Sequence, residues 1–208
     1  FRRVVLSADE VIQAGPDTTR MDAALMYSGG ADASYALVAH KTGLLGQRNR
    51  DIRAAVMVQG FDIALTDDRW FDVALRRAVP VLQSFGCSLL TVKTNWRQAC
   101  VDWEMGFAFG VTSVLHQLDA SYGNGLWAAD EPYDLEVIPW GSNSISNPLL
   151  SGRAFPIRAV GAGMHRSAKI ALIAQHAVVR DNLRVCWQQP RNGLNCGVCE
   201  KCVRTRLA

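Results

Sequence analysis

Residues 23–34 read Ala-Ala-Leu-Met-Tyr-Ser-Gly-Gly-Ala-Asp-Ala-Ser. The apolar run Ala23–Tyr27 stops close to a glycine pair and predicts a buried strand, and the Ala- and Leu-rich residues from Asp32 to His40 predict a helix directly after it. Two glycines let the backbone turn sharply and approach an anion without interference from a Cβ atom. The start of a helix adds free N–H groups and the positive end of its dipole. This stretch therefore predicts a phosphate-binding loop between a strand and a helix.

Several side chains of the loop suit a nucleotide. Ser28 and Ser34 can donate hydroxyl hydrogen bonds beside the backbone of Gly29, Gly30 and Ala31, and Asp32 can hold Mg²⁺ against the phosphates. The chain has no G-x-x-x-x-G-K-[ST], no G-x-G-x-x-G after a strand and no G-x-S-x-G. The alternative is a tight strand-to-helix turn that Asp32 caps. The place of the loop after the first buried strand favours the phosphate site.

The rest of the chain alternates strand and helix patterns. Further strands are predicted at 52–58, 88–92, 126–129 and 157–160, and further helices at 70–85 (kinked at Pro80), 100–118 and 167–177. Four prolines mark residues 130–156 as a long loop. Strands separated by helices predict right-handed crossovers, and so an α/β fold with a five-stranded parallel sheet and helices on both faces. Ligands bind such sheets beyond the carboxyl ends of the strands.

Four of the six cysteines lie in the last 23 residues as C-x₉-C-x₂-C-x₂-C: Cys186, Cys196, Cys199 and Cys202. Thiolates at this spacing can converge tetrahedrally on Zn²⁺, and Gly197 eases the turn between them. An iron–sulfur cluster is the rival, since four cysteines can hold one. Disulfides would need strained local pairs. Four protein ligands leave no open position, so the zinc would be structural. The clustering favours a reducing compartment, and we expect a cytoplasmic protein.

Ser28-Gly29-Gly30-Ala31-Asp32 resembles the S-G-G-x-D-S motif of the PP-loop ATP pyrophosphatases, which have an adenine nucleotide alpha hydrolase-like sheet. The resemblance implies that a substrate oxygen attacks the α-phosphate of ATP, giving an adenylate and pyrophosphate. A nucleophile such as ammonia then displaces AMP. With the cysteine tail, the loop resembles the 7-cyano-7-deazaguanine synthase family and its uncharacterised relatives, which implies a carboxylate substrate. The chain departs from the motif at Ala33, where the family has Ser, and Ser34 follows one residue later.

The resemblance implies further site residues. The end of the second strand, Val58 and Gln59, would contact adenine through the backbone, and Lys169 would lie near the phosphates and act with Asp32 and Ser28 in catalysis. The residues themselves suggest more candidates for substrate contact, namely Arg166 and the loop side chains Trp140, Ser142 and Asn143, although a plain surface loop fits the loop residues equally well. Asp130 and Glu131 follow the predicted fourth strand and could reach Mg²⁺ or substrate. Ordinary surface acids are the favoured alternative, because surface acids rarely make such contacts.

Length and charge set wider bounds. With 208 residues, we expect an ATP-binding domain over 1–180, in which 1–22 is a leading segment, and a zinc-binding segment over 181–208. We also expect the chain to be part of a longer protein, because it does not begin with Met. The net charge of +3 gives no support to nucleic-acid binding, and no apolar run reaches the roughly 18 residues of a membrane span.

The predicted function is an ATP-dependent, AMP-forming ligase for a small-molecule carboxylate or amide oxygen, with ATP, Mg²⁺ and Zn²⁺ as cofactors and a nitrogen donor as second substrate. A homodimer would be usual for such proteins. One alternative is a tRNA-thiolating enzyme, for which Cys87 and Cys100 are the spare thiols. The other is a nucleotide-binding module whose Ala33 marks lost catalysis.

Overall fold

A computed structural model of the chain describes residues 7, 9–10, 20–99, 102–188 and 195–208. Its centre is a sheet of five strands: β1 (Asp22–Met26), β2 (Asp51–Gln59), β3 (Ser88–Lys93), β4 (Asn124–Ala128) and β5 (Ile157–Val160). They lie in the order β3-β2-β1-β4-β5, and every neighbouring pair is parallel. The predicted five-stranded parallel α/β sheet is confirmed.

Both faces of the sheet are covered, which explains why 23–26 in β1 and 54–58 in β2 are uninterrupted apolar runs. Leu25 belongs to an apolar cluster with α1 (Ala31–Lys41), α2 (Asp68–Ser84), α5 (Arg166–Ile173) and α6 (Ala177–Asn182). Its neighbour Ala24 belongs to a second cluster, with α4 (Trp103–His116). Successive side chains of a strand point to opposite faces, so β1 contributes to both cores.

The helices differ from the predicted ones in three places. The segment predicted as one helix over 100–118 contains α4 alone, preceded by the short α3 (Trp96–Ala99), while Cys100 lies outside the described residues. α4 begins after Asp102 because that carboxylate accepts a hydrogen bond from the Met105 N–H at 3.2 Å and caps the first turn. The helix predicted over 167–177 is divided into α5 and α6. α7 (Glu200–Leu207) was not predicted.

The strand order places the predicted loop at a special point. From β1 the chain builds outward to β2 and β3, and it then returns to add β4 and β5 on the other side of β1. The order thus reverses between β1 and β4, and in open parallel sheets the crevice at such a switch point is the usual ligand site. Among the helices that the structure describes, none has the length and apolar character needed to span a bilayer.

Candidate nucleotide and metal sites

The glycine loop leads from the end of β1 into the start of α1, as predicted. Gly29 has a φ of +75°, a left-handed conformation that costs a side-chain-bearing residue about 1–2 kcal/mol. Gly30 is the N-cap of α1, and its N–H donates to Ser28 Oγ at 3.3 Å. The loop therefore presents the first turn of α1 to the crevice between β1 and β4.

A cavity of about 620 Å³ lies in this crevice. It is bounded by the carboxyl ends of β1, β2 and β4, and one wall is aromatic: Phe61, Trp103, Phe107 and Trp127. Charged side chains line the rest: Asp32, Asp62, Asp130, Arg97, Arg166, Arg184 and Lys201. Its size is typical of small-molecule sites, and its mixture of an apolar wall with a few polar groups suits a ligand that has a ring and an anionic part.

Asp32 lies between two cations of α5. Lys169 Nζ donates to Asp32 Oδ1 at 3.1 Å and to the Ala129 carbonyl at 3.0 Å, and Arg166 donates to Asp32 Oδ2. Lys169 has no exposed surface, and its ammonium also lies 5.8 Å from the centre of the Tyr35 ring. Asp32 was predicted as a site residue from the glycine loop, and Arg166 and Lys169 from a segment more than 130 positions later; the packing of α1 against α5 brings them together.

The hydroxyl of Ser34 does not line the cavity. It lies 3.3 Å from the Tyr27 hydroxyl behind the loop, and the residue is 1% exposed. Burial raises the pKa of Tyr27, and the hydrogen bond with Ser34 opposes that rise only in part. Ala33, by contrast, lines the cavity. In this structure the Ser34 hydroxyl therefore does not take the place of the hydroxyl that the PP-loop motif has at position 33.

Of the two residues predicted to contact adenine, Val58 lines the cavity and Gln59 does not. The Gln59 side chain has no exposed surface and donates to the carbonyls of Ala64 and Leu65 and to Asp68 Oδ1 at 3.1–3.2 Å. The Gln59 carbonyl accepts from Thr94 N–H at 3.0 Å. Gln59 therefore braces the loop after β2, because its backbone oxygen and its Nε2 already have partners, while its Oε1 is buried with no hydrogen-bond partner among the described residues.

The polar loop residues predicted to contact substrate hold their own loop together. Asn143 Oδ1 accepts from the N–H groups of Ile145 and Ser146, its Nδ2 donates to the Trp140 carbonyl, and Ser142 Oγ accepts from Asn147 Nδ2 at 3.2 Å. Trp140, Ser142 and Asn143 are not part of the cavity wall. Trp140 reaches it indirectly, since its indole N–H donates to Asp130 Oδ2 at 2.9 Å and Asp130 lines the cavity.

The four predicted metal ligands converge. The Sγ atoms of Cys186, Cys196, Cys199 and Cys202 all lie within 4.8 Å of one another, and two pairs are 3.9 Å apart. Four sulfurs at about 2.3 Å from one zinc ion in a tetrahedron lie about 3.8 Å apart, so this set fits a single metal ion. In a four-iron cluster each cysteine binds a different iron atom and the sulfurs must lie farther apart, so the spacing favours a single ion over such a cluster.

The ionisation of these thiols also suits a cation. Burial raises the pKa of the Cys199 thiol, but the Cys202 N–H and the neighbouring thiols outweigh it and lower that pKa to about 6. Burial and the neighbouring thiols raise the pKa of Cys202 to about 12. A metal ion bound by all four sulfurs would displace the protons that remain on them.

The backbone around the cysteines is held by Asn195, whose residue type matches no metal-ligand pattern. Asn195 Oδ1 accepts from the N–H groups of Val185 and Cys186 at 3.0 and 3.1 Å, and its Nδ2 donates to the Leu183 carbonyl at 2.8 Å. The Asn195 side chain thus joins the segment around the first cysteine to the turn that carries the other three. Gly197, predicted to ease this turn, has a φ of +78°.

The cysteine segment forms part of the cavity. Cys186, Trp187 and Lys201 line it, together with Arg184. Arg184 is the contact between this segment and the glycine loop: its backbone N–H donates to the Gly29 carbonyl at 2.8 Å, and its Nε donates to the Ser28 carbonyl at 3.1 Å. No sequence motif marks Arg184, because its role depends on two segments about 150 positions apart.

A scan against protein-family models and a search of curated proteins find no match to this chain. The likeness to the PP-loop enzymes accordingly rests on the motif and on the geometry of the chain's own residues.

Proposed function

We propose that the chain binds ATP with Mg²⁺ at the glycine loop and cleaves it between the α- and β-phosphates, as a PP-loop enzyme related to the 7-cyano-7-deazaguanine synthase family. The product would be the adenylate of a small-molecule carboxylate or amide oxygen, which a nitrogen nucleophile such as ammonia then attacks. The observation that carries this proposal is the glycine loop at the switch point of the sheet, opening into a 620 Å³ cavity beside Asp32, Arg166 and Lys169.

The phosphates would lie at the start of α1. The free N–H groups of that turn and its dipole favour an anion, and the guanidinium of Arg166 is close enough to exchange Asp32 for a phosphate oxygen. Such an exchange frees one carboxylate oxygen of Asp32, which could then hold Mg²⁺. The metal would supply positive charge against the polyphosphate. Lys169, fixed by the Ala129 carbonyl, stays beside this point throughout.

The ring systems would lie against the apolar side of the cavity. Val58, Phe61 and Trp127 are buried there at the carboxyl ends of the strands, where flat, poorly hydrated groups gain most from leaving water. Arg97, whose guanidinium lies 4.7 Å from the Trp103 ring centre, adds a cation to the same wall and could meet the carboxylate of the second substrate.

In this arrangement the substrate oxygen attacks the α-phosphorus and pyrophosphate leaves with the bonding electrons. Cations already in place stabilise the charge that develops on the leaving group, and they need no reorganisation during the reaction. Ammonia then attacks the activated carbon and AMP departs. The cysteine centre takes no part in these steps, because four protein ligands leave its metal without an open position.

The test separates the nucleotide products. Zinc-loaded protein is incubated with ATP, Mg²⁺, ammonium and a panel of carboxylates that includes 7-carboxy-7-deazaguanine. We expect carboxylate-dependent AMP and pyrophosphate, lost in Asp32→Ala and retained in Asp181→Ala, which removes an exposed acid outside the cavity. Formation of ADP and phosphate would refute the proposal. Binding of ATP without turnover across the panel would instead favour the nucleotide-binding module.

The thiolation alternative gains little from the structure. Cys87 is buried, its thiol donates to the Ile52 carbonyl, and burial raises its pKa. A thiol of this kind is a poor nucleophile. Cys100, the other spare thiol, lies outside the described residues.

A further inference from the structure

We propose that Arg184 is a phosphate-contacting residue whose position is set by the cysteine centre, so that metal binding and nucleotide binding strengthen one another. This inference rests on the proposed function, since it assumes that phosphates enter the glycine loop.

Arg184 lies at the edge of the cavity next to the glycine loop. Arg184 lines the cavity together with Ser28, and its side chain is 13% exposed. Nε donates to the Ser28 carbonyl and Nη2 donates to Asp62. Within the part of the chain that the structure describes, Nη1 has no hydrogen-bond partner, so its two donors remain for a ligand. A guanidinium held in this way still offers the charge-assisted N–H donors of Nη1 to a phosphate oxygen.

The glycine loop lacks one hydroxyl donor. The family motif has a hydroxyl at position 33, where this chain has Ala33, and Ser34 is turned away from the cavity toward Tyr27. Arg166, which lines the cavity, and the fully buried Lys169 approach the loop from α5 through Asp32. Arg184 approaches it from the opposite segment, through Ser28 and Gly29. It is therefore placed to supply a donor to the phosphates that the loop itself lacks.

Arg184 is held between the glycine loop and the cysteine segment. Its backbone N–H is bonded to Gly29, and two residues later Cys186 supplies one of the four converging thiols. A Cβ atom at Gly29 would lie 3.5 Å from Arg184 Cβ, so the two segments are in contact. Asn195 ties residues 183–186 to the turn that carries the other cysteines. A metal ion bound by all four thiols would therefore fix the segment that presses Arg184 against the loop.

The consequence is reciprocal. If the metal holds Arg184 in its binding position, phosphate binding must in turn hold the metal more tightly, because coupling between two sites is equal in both directions. Such couplings are commonly about 5- to 150-fold. A cysteine segment that only closes the fold would give no such effect.

The experiment compares Arg184→Gln with Arg180→Gln, the same substitution on an exposed arginine of α6 outside the cavity. Calorimetry measures the affinity of each zinc-loaded protein for MgATP. Competition with a chelator measures zinc affinity with and without MgATP, and any binding of zinc by ATP itself affects all proteins equally. Because a charged hydrogen bond contributes about 1.5–3 kcal/mol, we expect Arg184→Gln to bind MgATP roughly 10- to 100-fold more weakly.

We also expect MgATP to tighten zinc binding at least about 5-fold in the wild-type chain and in Arg180→Gln, and not in Arg184→Gln. The inference is overturned if Arg184→Gln binds MgATP within twofold of the wild-type affinity. It is also overturned if MgATP leaves the zinc affinity of the wild-type chain unchanged. In both cases the proposed function stands. If the wild-type chain binds no MgATP, both fall. Should Arg184→Gln fail to fold, the zinc measurement on the wild-type chain still decides.

Discussion

Lys169 is the largest side chain in the described part of the protein that is fully buried, although it carries a charge. Replacing it with Met keeps a long, flexible side chain but removes the ammonium that bonds Asp32 Oδ1 and the Ala129 carbonyl. The carbonyl belongs to a residue that is 4% exposed, so it loses its partner in a place that water reaches poorly. A buried unpaired acceptor costs about 1–3 kcal/mol, and a lost hydrogen bond to a charged group costs about as much.

Asp32 retains its contact with Arg166, which reduces the cost of losing the hydrogen bond between Lys169 and Asp32. We therefore expect Lys169→Met to lower the free energy of unfolding by about 3 kcal/mol, equivalent to a fall in Tm of roughly 6–12 °C for a chain of this length. The assay is urea unfolding followed by circular dichroism at neutral pH. Lys93→Met is the matched control, because Lys93 also bonds a carboxylate, Asp68, at 2.9 Å but with a largely exposed side chain. Its effect should be several-fold smaller.

A double-mutant cycle of Lys169→Met with Asp32→Asn then isolates the pair. Asp32→Asn alone leaves Lys169 and Arg166 facing each other without a carboxylate, so the double variant should recover part of that loss, with a coupling energy of about 1–3 kcal/mol. Additive effects within about 0.5 kcal/mol, or a Lys169→Met cost no larger than that of Lys93→Met, would refute the view that a buried charged network supports this site.

Three further outcomes follow from the same contacts. Cys196→Ser should lower the bound zinc measured by atomic emission to well below one ion per chain, whereas Cys87→Ser, outside the cluster, should leave it unchanged. Burial, aided by the charge of Arg50, lowers the pKa of His40 from 6.5 to about 4, and its Nδ1 accepts the Arg50 N–H at 3.0 Å. The folded protein therefore favours the neutral form of the His40 imidazole. Its contribution is complete above pH 6.5 and is lost as the pH falls from 6.5 to 4, by about 2 kcal/mol at pH 5, and urea unfolding of His40→Gln at pH 7 and pH 5 should show a smaller loss than wild type. Gly29→Ala should cost about 1–2 kcal/mol of stability, because φ is +75° there, and should weaken MgATP binding in calorimetry; unchanged affinity would mean that the loop does not hold phosphate.

Much of the fold could be predicted because its elements are local patterns. The glycine pair after an apolar run marks a strand that enters a helix, and the strands predicted at 88–92 and 157–160 lie within one residue of β3 and β5. Helix ends were predicted less well where one side chain decides them. Asp102 starts α4 by capping it, and an apolar stretch that runs across such a residue gives no hint of the break.

The site was only partly predictable, for a related reason. Asp32 and the cysteines belong to motifs in which the spacing of the residues along the chain indicates phosphate binding and metal binding. Ser34, Gln59 and Asn143 are polar residues in places where a ligand would be plausible, but their hydrogen-bonding groups are largely taken up by the protein itself. Whether a polar group has a free donor depends on what folds against it, and that is a property of the packed chain.

The sequence alone determined the alternation of strands and helices, the loop of glycines and the cysteine spacing, since each follows from residues that are neighbours along the chain. Only the tertiary structure decided the strand order β3-β2-β1-β4-β5, which opens the cavity beside β1. It also decided that Lys169 reaches Asp32 and that Arg184 reaches Ser28. These contacts join residues 137 and 156 positions apart. The first forms because α1 and α5 bury their apolar faces together against the sheet, and the second because Leu183 and Val185, on either side of Arg184, are buried in the same core.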